Sequence, residues 1–150
     1  MSTFIKGGST STPFGRNEFL RSTQDVKTES YTLSAASVPA RTIDGVGGQK
    51  VLQPGTVMAK ITSTAESGKI GPFSAAATDG RQTAANIVGL NMTFLPWQTI
   101  ERDVEISVVV QATAVQAWCI ELNATSVEIV LTNTTADAMR GGKRVHINFS

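Results

Sequence analysis

The chain is short of the residues that carry most enzyme chemistry: 150 residues include one cysteine and one histidine. A lone Cys119 cannot close a disulfide within the chain. Its neighbours in Ala117-Trp118-Cys119-Ile120 are apolar, which reads as core rather than as a reactive thiol. A Ser-His-Asp triad needs a histidine between nucleophile and carboxylate, and His146 instead alternates with apolar residues near the last position, as a solvent-facing strand residue would. One Cys and one His without ligand spacing do not make a zinc site. Charge is scarce as well, at 17% Asp, Glu, Lys and Arg with a net of +1. No basic cluster exists to displace counterions from phosphates, so nucleic acid is excluded as a partner. No apolar run approaches the ~20 residues that span a bilayer, and the first residues lack the layout of a signal peptide. The expectation is a soluble protein made in a cytoplasm, with no membrane partner. Three Asn-x-Thr triplets, at Asn91, Asn123 and Asn133, read as coincidence in a Thr-rich chain.

The phosphate and nucleophile motifs are missing too. Gly45-Val46-Gly47-Gly48-Gln49-Lys50 does not fit a P-loop. Ser67-Gly68-Lys69-Ile70 lacks the upstream glycine and the hydroxyl that would hold magnesium. No Gly-x-Ser-x-Gly elbow occurs. Glu101, Asp103 and Glu105 share one face of a strand, but same-face neighbours sit about 6.6 Å apart, too wide for three carboxylates to grip one cation unaided. They read as a solvated outer face. No catalytic residue, cofactor or metal is expected, and the chain is read as a non-enzyme.

What is present is the punctuation of β structure. Tyr31, Leu33 and Ala35 alternate with Thr32, Ser34 and Ala36. Turn pairs follow at Asp44-Gly45, Gly47-Gly48 and Pro54-Gly55, then Val57, Ala59 and Ile61 fall on one face. Val104, Ile106, Val108 and Val110 face one way and Glu101, Asp103 and Glu105 the other; Trp118, Ile120 and Leu122 then suit a strand and Ala114, Trp118 and Leu122 a helix face, and the preceding β-branched run favours the strand. Val127, Ile129 and Leu131 form another strand, and Val145, Ile147 and Phe149 the last. One helical turn is expected near residue 135, with Thr134 or Thr135 as cap, Asp137 in the first turn and Gly141-Gly142 as stop. Asp79-Gly80-Arg81-Gln82-Thr83 could be a small polar site or a turn. Without a base or an activated nucleophile beside it, the turn reading wins. The fold class is therefore mainly β, α+β with one short C-terminal helix, and residues 28–150 form one domain.

Residues 1–27 differ. The tract mixes Gly, Ser, Thr and charges without a period of 2 or 3.6, yet carries Phe4, Phe14 and Phe19. Two readings stand side by side: a floppy tail, or a flexible N-terminal arm that orders on a partner, with phenylalanines as anchors and its backbone as an added strand.

Three stretches in order, "PGTVMAKIT", "SGKIGPF" and "AAATDGRQTAANIVGL", resemble the motif series of phage head decoration proteins of the lambda D type. The matching positions are Pro54, Gly55, Val57, Met58, Ala59, Lys60, Gly68, Lys69, Gly71, Pro72, Asp79, Gly80, Thr83, Ala84 and Ile87. "RDVEISVVVQATAVQAWCIEL" is similar to the hairpin that follows in that family. The likeness covers roughly residues 50–122, and the end of the chain loosely. Asn86 stands where relatives often have Gly, and the strand around Val127–Leu131 is additional. The resemblance implies a compact β-tulip or β-clip domain that assembles as a homotrimer. It also implies a place on the virion, outside an expanded phage capsid at three-fold sites. There the trimers bind the major capsid protein and stabilise the shell against packaged DNA. Pro54, Gly55, Gly71, Pro72, Asp79 and Gly80 would be structural motif residues. Phe4, Phe14, Phe19 and Tyr31 would face the capsid, and Trp97 would sit in the trimer contact. Two competing readings remain. One is another virion or surface module, such as a fibre tip or carbohydrate-binding domain, for which Trp97 is the exposed-looking aromatic. The other is a dUTPase-like β-clip enzyme, for which "KRVHINFS" lacks the Gly-rich tail.

Overall fold

Alternation writes the first strand. In Lys27–Leu33 (β1) Thr28, Ser30 and Thr32 face solvent, while Tyr31 is half-buried and Leu33 fully buried. The computed structural model describes residues 19–22, 24–43, 45–96, 100–140 and 145–150. Along the chain follow Ala40–Ile43 (β2), Val46–Lys50 (β3), Val57–Lys60 (β4), Ile70–Pro72 (β5), Ile87–Asn91 (β6), Val104–Ala114 (β7), Ile120–Leu122 (β8), Glu128–Val130 (β9), Asn133–Arg140 (α1) and His146–Phe149 (β10). The fold is mainly β with one short helix, as the sequence predicts.

Five of these strands close on themselves. The order β7-β1-β5-β4-β6 returns to β7, because Leu90 and Asn91 of β6 pair with Val109 and Val108. The result is a barrel-like sheet, with β10 added in parallel beside Gln111–Ala114 of β7. Every strand of the ring contributes to one buried cluster, through Leu33, Met58, Ile70, Val88, Ile106 and Val108. That cluster is the interior. A second cluster lies on the opposite face of β4, β6 and β7, where Val57, Leu90, Val109 and Ala112 meet Met139 of α1 and Ile147 of β10. Both faces of β4 are therefore covered, and Met58 is as buried as Val57 and Ala59. The one-face pattern read from Val57, Ala59 and Ile61 undercounts this strand.

The closure depends on a glycine. Met58 pairs with Gly89 and Ala59 with Ile87, so Val88 is an extra residue in β6, a β-bulge that bends the strand towards β7. Gly89 has φ +144°, and a Cβ there would lie 2.1 Å from the Val109 carbonyl oxygen. No side chain fits between these strands.

Two expectations fail at the next elements. β7 ends at Ala114, and Gln116–Trp118 form a 3₁₀ turn before β8 resumes at Ile120. Trp118 is therefore not a strand residue. The helix starts at Asn133, earlier than its Thr-rich stretch suggests. The buried Glu121 carboxylate accepts from the Thr132 N–H (2.8 Å) and hydroxyl (3.1 Å), fixing Thr132 as the cap. The Thr132 hydroxyl in turn accepts from the Thr135 N–H (3.4 Å). Asp137 thus falls past the first turn, where it pairs with Arg140. Gly141-Gly142 lies outside the described residues.

β2 with β3, and β8 with β9, form two separate two-stranded antiparallel sheets beside the barrel.

Candidate functional site

The motif residues from Pro54 to Gly80 turn out to hold the barrel together. Gly55, at φ +83°, has Phe19 and the Trp118 carbonyl 3.1 Å from where its Cβ would be. Gly71 and Pro72 are buried in β5. Asp79 and Gly80 form the turn that leads to β6, and Arg81 clamps it. Its Nε donates to both Asp79 carboxylate oxygens (3.0 and 3.1 Å), and Nη1 reaches the carbonyls of Ser37 (3.1 Å) and Pro72 (3.2 Å). The Thr62 N–H donates to the Asp79 carbonyl (2.9 Å), and Asn86 Nδ2 to that of Gly80 (2.8 Å). Polar groups spent on neighbouring backbone are doing fold work, so this stretch is a strut between three segments.

A second polar cluster ties the barrel rim. Lys69 bridges Glu66 (3.0 Å) and Asp103, the Ala35 N–H donates to Asp103 (2.9 Å), and the Ser34 hydroxyl donates to Glu66 (2.6 Å). The Ser34 and Lys69 hydrogen bonds hold the Glu66 carboxyl below its ordinary range. Those from Lys69 and Ala35 do the same for Asp103, and the Lys69 ammonium is held above its own. Asp103 is thus taken by Lys69, while Glu105 points outward from β7 opposite Thr32. Among the described residues no group of three or more His, Cys, Asp or Glu side chains converges.

Cys119 is buried, and desolvation pushes its thiol up to about 12, so it is protonated and unreactive at neutral pH. His146 is exposed on β10 opposite Gln111. It lines an open polar groove of about 400 Å³ with Ser22, Asp25 and Asn148.

The expected contact residues scatter. Phe4, Phe14 and Trp97 lie outside the described residues. Phe19 is corrected from arm to core. It is 2% exposed and packs with Leu131, Met139 and Cys119 in the outer cluster, because residues 19–21 run antiparallel to the end of β7. Val115 N–H donates to the Phe19 carbonyl (2.7 Å) and Arg21 N–H to that of Thr113 (2.9 Å). Tyr31 sits mid-strand in β1, its hydroxyl donating to Glu29 (2.7 Å).

Sequence reasoning missed the exposed apolar residues in and around the β8–β9 sheet. Trp118 and Val127 are 55% exposed and Val130 58%. Val130 pairs with half-buried Ile120, two residues beyond Trp118. Between the 122–128 turn and the segments around Val38 and Leu52 lies a groove of about 460 Å³ with largely apolar walls. The signal was available in Ala117-Trp118-Cys119-Ile120, but its 3₁₀ turn, which sends Cys119 inward and Trp118 outward, has no signature in alternation. Exposed apolar side chains that form a contiguous patch mark contact with another molecule.

No protein-family model, curated protein or solved structure matches the chain.

Proposed function

We propose that the chain is a structural virion protein, a head decoration protein of the lambda D type that binds the outside of the expanded phage capsid. In this reading it acts as a homotrimer at three-fold sites and cements neighbouring major capsid subunits, with no catalytic step and no cofactor. The observation that carries the reading is the division of labour in the molecule. The polar residues of the motif stretch are consumed in bracing the barrel, while Trp118, Val127 and Val130 stay exposed in and around the small β8–β9 sheet. That is the layout of a protein that works through contact. The resemblance of the ordered motif series from Pro54 to Ile87 supports the family reading. Residues 1–18, with Phe4 and Phe14, carry the capsid anchor, because buried aromatics dominate interfaces. Three arms per trimer engage at high effective concentration, so weak strand additions sum to firm attachment.

Co-sedimentation with expanded, undecorated heads tests this. The full chain pellets with the heads, and a chain lacking residues 1–18 stays in the supernatant. Undiminished binding by the shortened chain contradicts the anchor. The exposed indole of Trp118 favours a second reading, a surface module that stacks a sugar ring. Glycan binding that is lost with Trp118→Ala would support that reading instead.

A further inference from the structure

Asp-Gly is a dipeptide whose backbone rewrites itself without an enzyme. The glycine amide nitrogen, once it has lost its proton, attacks the aspartate Cγ. The N–Cγ bond forms and a carboxyl oxygen leaves as water, closing a five-membered succinimide. Water then opens the ring at either carbonyl, restoring aspartate or leaving an isoaspartyl link that lengthens the main chain by one methylene. Glycine makes the attack easy, because no side chain shields its nitrogen.

At Asp79-Gly80 the fold has no room for a safer residue. Gly80 has φ +108°, and a Cβ there would lie 2.2 Å from the Thr62 hydroxyl oxygen and 3.0 Å from the Thr62 nitrogen. Nor is there slack for the product. The Asp79 carbonyl accepts from the N–H groups of Thr62 (2.9 Å) and Ser63 (3.3 Å), and the Gly80 carbonyl from Asn86 Nδ2 (2.8 Å) and the Thr83 N–H (3.2 Å). An extra methylene between the two residues would pull these bonds apart. Both residues are half-buried, so water reaches the pair.

The two groups that would react are both engaged elsewhere. The Gly80 N–H donates to Gln82 Oε1 (2.9 Å). Arg81 Nε holds both carboxylate oxygens of Asp79, and the Arg81 N–H donates to Oδ1 as well (3.3 Å). Arg81 is itself anchored on the Ser37 and Pro72 carbonyls, so the carboxylate does not swing free with it. We propose that Arg81 and Gln82 guard Asp79-Gly80 against conversion to isoaspartate in the folded chain. For attack, the Gly80 N–H must leave Gln82, and the carboxylate must leave Arg81 and turn its Cγ to that nitrogen. Each ordinary hydrogen bond given up slows the reaction by roughly twofold to tenfold. The guard stands apart from the decoration reading.

Incubating the full chain for weeks at neutral pH and body temperature, folded and in guanidinium chloride, tests this. Trypsin releases the pair in a peptide that begins at Ile70, and its isoaspartyl form has the same mass but elutes separately. The folded chain forms it roughly tenfold or more slowly than the unfolded chain; equal rates would overturn the proposal. Gln82 is exposed, and Gln82→Ala raises the folded rate roughly twofold to tenfold with an unchanged urea midpoint. Gln82→Glu, which keeps an acceptor oxygen, stays at or below the wild-type rate. A Gln82→Ala rate no higher than wild type, or an equal rise in Gln82→Glu, would overturn the part given to Gln82. Arg81→Ala raises the rate further, already without denaturant. A rise that appears only in step with the unfolded fraction would reduce Arg81 to a brace.

Discussion

Met58, Ile70 and Val108 inside the ring have no exposed surface, whereas Val130 on the β8–β9 sheet, Trp118 and Val127 in the segments leading into it, and Val46 on the β2–β3 sheet keep more than half of theirs. The same residue types follow different rules in the two regions. In the ring, each apolar side chain is matched by neighbours on other strands, and burial is what holds the barrel. On and beside the small sheets, Leu122 is buried, but Trp118, Val127, Val130 and Val46 keep most of their apolar surface in water, where folding gains little from it. A two-stranded sheet is marginal on its own, so these sheets borrow stability from what they touch. The difference separates residues that make the fold from residues free to meet another molecule.

The comparison breaks first at Gly89. Gly89→Val places atoms on the Val109 carbonyl at a backbone conformation that side chains avoid, so we expect a loss above about 3 kcal/mol or failure to fold. Urea unfolding, or the yield of soluble protein, measures it. Met58→Ala leaves a cavity in the interior, at an expected cost of about 2–5 kcal/mol by the same unfolding assay. Arg81→Ala leaves the Asp79 carboxylate with only the backbone N–H of residue 81 (3.3 Å) and strips the side-chain donor from two backbone carbonyls, at about 1–3 kcal/mol. If Arg81 were instead a functional side chain on a tolerant surface, stability would not move.

Smaller still is the contribution of the rim cluster. Glu66 and Asp103 titrate below their ordinary values of 4.5 and 3.8 in the folded chain. The unfolded chain therefore takes up protons first as pH falls. Their stabilisation is complete above the ordinary values and is lost as pH drops through the lowered ones. Lys69, raised from 10.5, contributes with the opposite sign, present below that value and lost above it. Urea midpoints measured from pH 7 to 3 fall on the acid side, and Asp103→Asn flattens that fall. The smallest effect on folding belongs to the exposed apolar residues. Trp118→Ser and Val130→Ser change stability by within about 0.5 kcal/mol, measured by the same midpoints. A loss comparable to that of Met58→Ala would erase the distinction between the two regions.

Much of the barrel was legible because its rule is local. Alternation at β1 and in the first half of β7, the turn glycines at 45, 55 and 80, and the mainly β class with one helix all follow from neighbouring residues. Contacts distant in sequence were not legible. Phe19 looks like part of a polar arm, yet it fills a hole next to Gly55 and Met139. Met58 looks outward by parity, but the closed ring gives β4 two buried faces. The helix start depends on Glu121, eleven residues before Thr132. Trp118 is exposed because β7 breaks at Val115, a break that no turn dipeptide announces. Of the expected contact set, Tyr31 and Phe19 are placed, with Phe19 reassigned to the core. Phe4, Phe14 and Trp97 fall outside the described residues.

Cementing of a capsid is the proposed role of this chain. Mixing the purified protein with expanded, undecorated phage heads and imaging them tests it most directly. Extra density standing on the outer shell at the local three-fold positions is the predicted result, and bare heads at saturating protein would contradict it.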